Sequence, residues 1–164
     1  MKPGTFTQMY VQLVFAVKGR DAALTTIIRP RVFEYMSGIL TNQRHKSIII
    51  NGISNHVHIL FGLNPSISVS DTVHEIKRSS SLFINKQKLC PERFSWQEGY
   101  GAFSYSKSEL PNVITYINNQ QEHHKRKTFT EEYLELLKIF EIDYDDRFVF
   151  KPVEMDYPLP DGTC

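Results

Sequence analysis

The sequence predicts an α+β domain, an antiparallel sheet with helices on one face. Three observations carry this. The apolar pattern switches between a period of two and a period near 3.6 along the chain. The segments so marked run strand, helix, strand, strand, helix, strand, then further helices, which is the split βαβ order of ferredoxin-like folds. The length and composition agree: 164 residues, 41% hydrophobic and 23% charged, suit one domain with a sizeable core. We place that domain over residues 1–150 and an extended tail over 151–164.

Each element has its own signal. Phe6 to Val17 alternates and then runs apolar, with β-branched and aromatic residues, so it reads as a strand. "KGRD" is a turn. Leu24 to Thr41 carries Ile27, Ile28, Val32, Phe33, Met36, Ile39 and Leu40 at helical spacing, and Pro30 suits its first turns. Ser47 to Ile53 and His56 to Leu63 are two strands joined by a short turn, a hairpin. "NPSISVSD" is a loop that leads to a helix capped by Ser70 or Asp71, with Glu75 near its start, ending about Lys88. A strand is expected from Tyr100 to Tyr105. The next helix opens with Ser108 as cap and Pro111 in its first turn, and its stripe is Leu110, Val113, Ile114 and Ile117. "TFTEEYLELLKIF" is a last amphipathic helix, capped by Thr128 or Thr130.

The bulk properties exclude several classes. The composition is neither disordered, collagenous nor disulfide-rich. No apolar run approaches the roughly 20 residues of a membrane helix. The N-terminal stretch lacks a signal-peptide cleavage pattern, so a cytoplasmic protein without membrane partners is expected. Cys90 and Cys164 are far apart and make neither a metal spacing nor an expected disulfide. The net charge is +1, so nucleic-acid binding would require basic residues gathered on one face.

Two groups of residues could carry chemistry. In "NHVHILFGL" side chains alternate, so His56, His58 and Leu60 share one face of the strand. Two residues of strand rise separate the His Cα atoms by about 6.5 Å, within reach of one ion. Two imidazoles leave positions open, and the pair alone reads equally as hydrogen-bonded histidines at a strand start. Tyr116 and Gln120 are four residues apart and stack on one helix face at the flank of its apolar stripe. There a phenol can reach a neighbouring site and an amide oxygen can complete a metal shell; a boundary tyrosine with a wetted hydroxyl fits the same spacing. No clustered Asp or Glu is evident to complete a hydrolase site. Basic residues gather twice, as Lys77, Arg78, Lys86 and Lys88 around three serines, and as Lys125, Arg126 and Lys127 after His123 and His124. Such groups neutralise phosphates, or form a solvated face and complement a helix C-terminus.

Taken in order, these stretches resemble the small single-tyrosine HUH transposases of bacterial insertion sequences and their REP-associated relatives, where HUH is His, a bulky apolar residue, His. The resemblance spans about Thr7 to Phe150. "YVQLVFAVKGR" is similar to the family's first strand, "INGISNHVHILFGL" to its HUH strand, and "IKRSSSLFIN" to its central helix. "FSWQEGYGAFSYSKS" and "YINNQQEHHKRKTFTEEYLELL" are similar to the approach to the tyrosine helix and to that helix with its continuation.

The resemblance implies His56, His58 and Gln120 as metal ligands and Tyr116 as the nucleophile. It implies cleavage of single-stranded DNA to a 5′-phosphotyrosine and a free 3′-hydroxyl, and rejoining without ATP or another nucleotide cofactor. Neutral ligands that leave room for phosphate and water suit Mg²⁺ or Mn²⁺, and His sites also take Zn²⁺. The implied partners are DNA hairpins at element ends and a second copy of the chain, with the tyrosine helix able to serve either subunit's HUH site. The basic clusters would meet the strand. A domesticated relative that nicks and joins hairpin repeats shares the same pattern; a non-catalytic nucleic-acid-binding module shares the fold, but the presence of Tyr116, Gln120 and both histidines argues against it.

Overall fold

Four strands build the sheet in a computed structural model that describes residues 3–19 and 23–149. They are β1 (Tyr10–Ala16), β2 (Lys46–Gly52), β3 (His56–Gly62) and β4 (Gly101–Tyr105), in the order β2-β3-β1-β4 and all antiparallel. The central pair is apolar because both of its faces are covered: β1 is buried from Val11 onward and β3 from His56 to Phe61. The first strand is shorter than Phe6–Val17, since Phe6 is exposed and has no ladder partner there.

Alternation assigns the two faces. Val57, Ile59 and Phe61 sit opposite Phe15, Leu13 and Val11. They join Val32, Met36 and Leu40 of α1 (Arg29–Asn42) and Val73, Ile76 and Ile84 of α2 (Val69–Lys86) in the main core. At about 25 cal/mol per Å², each such side chain contributes roughly 2 kcal/mol by leaving water. The other face carries His56, His58 and Leu60, flanked by Ala16, Val14 and Gln12 of β1 and by Asn51 of β2. Leu60 packs with Val113 and Ile117 of α3 (Leu110–Asn118). Phe103 and Tyr105 of β4 meet Phe140, just past α5 (Phe129–Ile139). The C-terminal helices therefore cover the histidine face, and α1 and α2 the opposite one.

Several boundaries differ from the sequence reading, each for a local reason. α1 begins at Arg29 rather than Leu24, with Pro30 in its first turn, where a missing N–H costs nothing. α2 is capped by Ser68, whose extended backbone lets its hydroxyl accept from the Asp71 amide at 3.0 Å; Ser70 and Asp71 already lie inside the helix. Ser106, not Ser108, opens the approach to α3: a capping box with Glu109 closes a 3₁₀ turn over Lys107–Glu109. Thr128 caps α5, with Glu131 completing its box. The helix carrying Tyr116 stops at Asn118, and after Asn119 (φ −96, ψ 20) one further turn, α4 (Gln120–His123), continues the chain. The expected tail, Lys151 to Cys164, lies outside the described residues.

Candidate active site

The hairpin between β2 and β3 fixes where the histidines point. The Ile53 amide donates to the His56 carbonyl at 3.2 Å, closing a tight connection. Gly52 is required there: a Cβ on it would run into the His56 carbonyl oxygen and stand 2.9 Å from Val57 Cα. His56 and His58 emerge on one face, as the alternation predicts, with ring centroids 5.1 Å apart and no exposed surface. Phe129 of α5 stacks on the His56 ring at 4.1 Å and holds its plane.

Asn55 fixes the tautomer of His56. Its side-chain oxygen accepts from His56 Nδ1 at 2.8 Å, so the proton sits on Nδ1. Burial pushes the imidazole down from 6.5 to about 3, so it is neutral and Nε2 carries a lone pair. That lone pair faces Gln120 Oε1 at 3.1 Å, acceptor against acceptor with no proton between them. This donor set fits a divalent cation, which would satisfy both atoms.

Tyr116 and Gln120 come to the same place. The break at Asn119 leaves Gln120 fully buried beside His56, while Tyr116 is partly buried with its ring edge-on to His58, centroids 5.7 Å apart. Asn51 anchors this arrangement: its amide donates to the Ile117 carbonyl at 2.9 Å and pairs with Gln121. All four residues named from the sequence thus meet within one chain.

One carboxylate occupies the centre of the cluster. Glu132 of α5, 2% exposed, accepts at Oε1 from His58 Nε2 at 3.1 Å and from His124 Nε2 at 3.2 Å. At Oε2 it takes the Tyr116 hydroxyl and Gln120 Nε2, the latter at 3.1 Å. Ligand atoms of His56, His58 and Glu132 all lie within 4.8 Å of one another. Burial alone would push the Glu132 carboxyl up, but the charge of His58 and hydrogen bonds from His124 and His58 bring it well below the usual carboxylate range. The Tyr116 phenol is pushed well above its ordinary value, by burial first and then by Glu132.

The absence of a completing acid expected from the sequence is therefore corrected: Glu132 supplies one. A signal for it was present. Glu132 falls three residues after Phe129 and four before Leu136, on the buried stripe of its helix.

The basic residues divide. Lys77 is not free to meet a strand: its ammonium donates to the Gln97 and Gly99 carbonyls at 2.7 and 2.6 Å, and burial pushes it down to about 8. Arg78 pairs with Glu75, Lys125 with Glu122 and Lys127 with Glu135, each near the surface, where solvent screens the attraction. Lys86, Lys88 and Arg126 are exposed.

No helix among the described residues is long and apolar enough to cross a membrane. Residues 5–120 match the model of the family described as "Transposase IS200 like". No curated protein matches the chain. Among solved structures, a candidate transposase from Deinococcus radiodurans r1 is similar at 20% identity and a TM-score of 0.58, covering 73% of this chain and 96% of that one. A REP-associated tyrosine transposase bound to a REP hairpin is similar at 14% identity and a TM-score of 0.55, covering 76% of this chain and 74% of that one. Both likenesses concern the fold.

Proposed function

The chain belongs to the family of IS200-like transposases, and from that premise we propose that it cleaves and rejoins single-stranded DNA through a covalent bond to Tyr116. The observation that carries this reading is the meeting of the Tyr116 hydroxyl, the His56 and His58 imidazoles and the Gln120 amide in one cluster of a single chain. A structural tyrosine needs only one hydrogen-bond partner and no buried histidine pair beside it.

In this account Tyr116 attacks the scissile phosphorus. The Tyr Oη–P bond forms and the bond from phosphorus to the 3′-oxygen breaks. The phenolic proton leaves along the existing hydrogen bond towards Glu132 Oε2 and ends on the 3′-oxygen, so the products are a 5′-phosphotyrosine and a 3′-hydroxyl. Reversal onto another 3′-hydroxyl rejoins the strand without an external energy source. His56, His58 and Gln120 would hold a divalent ion, Mg²⁺ or Mn²⁺. When bound, that ion supplies Lewis-acid polarisation of the phosphate and a positive charge that offsets Glu132. Phe129 and Asn55 keep the His56 ring in place for this.

The substrate we propose is single-stranded DNA flanked by hairpins, in keeping with the hairpin-bound relative. The exposed Lys86, Lys88 and Arg126, with Lys125 and Lys127, would meet its phosphates. The sheet leaves β2 and β4 as its edges, and a second copy of the chain would join along one of them.

The test uses hairpin DNA from the flanks of the chain's own gene, labelled in turn at each end, with Mn²⁺ or EDTA. Cleavage that leaves a free fragment ending in a 3′-hydroxyl and a protein-bound 5′ end, lost with EDTA and in Tyr116→Phe, is expected. Metal-independent binding without cleavage, unchanged in Tyr116→Phe, would favour a binding module instead.

A further inference from the structure

The family match ends at Gln120, and the chain then adds α5. The buried stripe of α5 is apolar at Phe129, Tyr133, Leu136 and Leu137, and Glu132 interrupts it. A carboxylate at such a position costs several kcal/mol unless its charge is met. Its surroundings meet it with acceptors as well as donors.

The His56 Nε2 lone pair lies 3.5 Å from Glu132 Oε1 and 3.1 Å from Gln120 Oε1. Turning the Gln120 amide over does not help: its oxygen would then face Glu132 Oε2, which its nitrogen now meets at 3.1 Å. Either way two acceptors confront each other out of contact with water. His124 is held in place as well, with Nδ1 donating to the Lys127 carbonyl at 2.8 Å and Nε2 meeting Glu132 Oε1 at 3.2 Å. A buried anion beside the unprotonated His56 Nε2 and the Gln120 oxygen, in a closed space, is a cation site.

We propose that Glu132 is a direct ligand of the divalent ion, joining His56 and His58 through Oε1, with Gln120 as a further oxygen donor. This rests on the metal-dependent reading above and changes its ligand set: a two-histidine, one-carboxylate site replaces one of neutral ligands only. Binding displaces the proton that His58 Nε2 now gives to Glu132. The anionic oxygen favours hard divalent ions such as Mn²⁺. Through Oε2 the same carboxylate holds the Tyr116 hydroxyl, so metal and nucleophile share one anchor. The segment beyond the matched residues thereby becomes part of the active centre.

The test is Mn²⁺ binding to the metal-stripped full chain by calorimetry, for the native protein, Glu132→Gln and His58→Ala, each checked for folding by thermal unfolding. The inference expects Glu132→Gln to weaken binding by about 100-fold or more, as His58→Ala does. Native affinity in Glu132→Gln with loss in His58→Ala would overturn the Glu132 assignment and leave the histidine reading standing. Native affinity in both would overturn the two together. Anomalous diffraction from the native protein crystallised with Mn²⁺ is independent of any variant's folding. A peak within coordination distance of Glu132 Oε1 is expected; a peak on the histidines with Glu132 turned away would overturn the inference.

Discussion

Lowering the pH of the metal-free protein should destabilise it through His56. Its imidazole is fully buried, with its pKa brought from 6.5 to about 3 by burial. The unfolded chain takes up a proton below pH 6.5 and the folded one only near pH 3. The stability gained by keeping His56 neutral is therefore fully present above pH 6.5 and is lost as the pH falls towards 3, at up to ~1.4 kcal/mol per pH unit. Integrated from pH 7 to pH 5, the loss is about 2 kcal/mol. Glu132 acts in the same direction, but its share is lost only as the pH falls below the ordinary carboxylate range near 4.5. The assay is urea unfolding in EDTA at pH 7 and pH 5, for the native protein and His56→Gln. A loss of this size moves the native midpoint down by ~1 M. His56→Gln removes the titrating group, so its midpoint should move much less, while His45 and His123, also lowered by burial, contribute equally to both proteins. Equal shifts in the two would refute the burial of a neutral His56.

Other perturbations separate the roles of neighbouring residues. Asn55→Ala removes the acceptor that fixes the His56 tautomer, and calorimetry should show Mn²⁺ affinity falling by about 10-fold. Gly52→Ala drives a methyl into the backbone of the histidine hairpin and should lower stability by about 3 kcal/mol, read as the thermal midpoint. Arg126→Ala should reduce the slope of log affinity for single-stranded DNA against log salt by ~1, as one phosphate contact is lost. Lys77→Met should leave that slope unchanged, because the Lys77 ammonium is held by the Gln97 and Gly99 carbonyls.

The strands and the histidine pair were legible because both depend on local alternation. Once β3 is a strand, His56 and His58 must share a face, and the structure places them so. Tyr116 and Gln120 were legible by their four-residue spacing, even though the helix breaks at Asn119 between them. Glu132 was not picked out, because its role depends on a contact across 74 residues with His58. Two adjacent glutamates on an amphipathic helix ordinarily read as solvated charge, and only the phase of the stripe separates Glu132 from Glu131. Lys77 was misleading for a related reason: a flexible four-carbon stem lets its ammonium choose loop carbonyls that no local pattern reveals. The cap of α2 moved from Ser70 to Ser68 because "SISVSD" offers several hydroxyls, and backbone conformation selects among them.

The central claim is that Tyr116 carries the covalent bond to DNA. The most direct measurement is mass spectrometry of the protein–DNA adduct formed with Mn²⁺, after nuclease and trypsin digestion. The peptide of residues 108–125 contains Tyr116 as its single tyrosine. The account predicts a nucleotide remnant on that peptide, localised to Tyr116 by fragmentation and absent in EDTA. A remnant on another tyrosine, or an adduct that still forms in Tyr116→Phe, would contradict it.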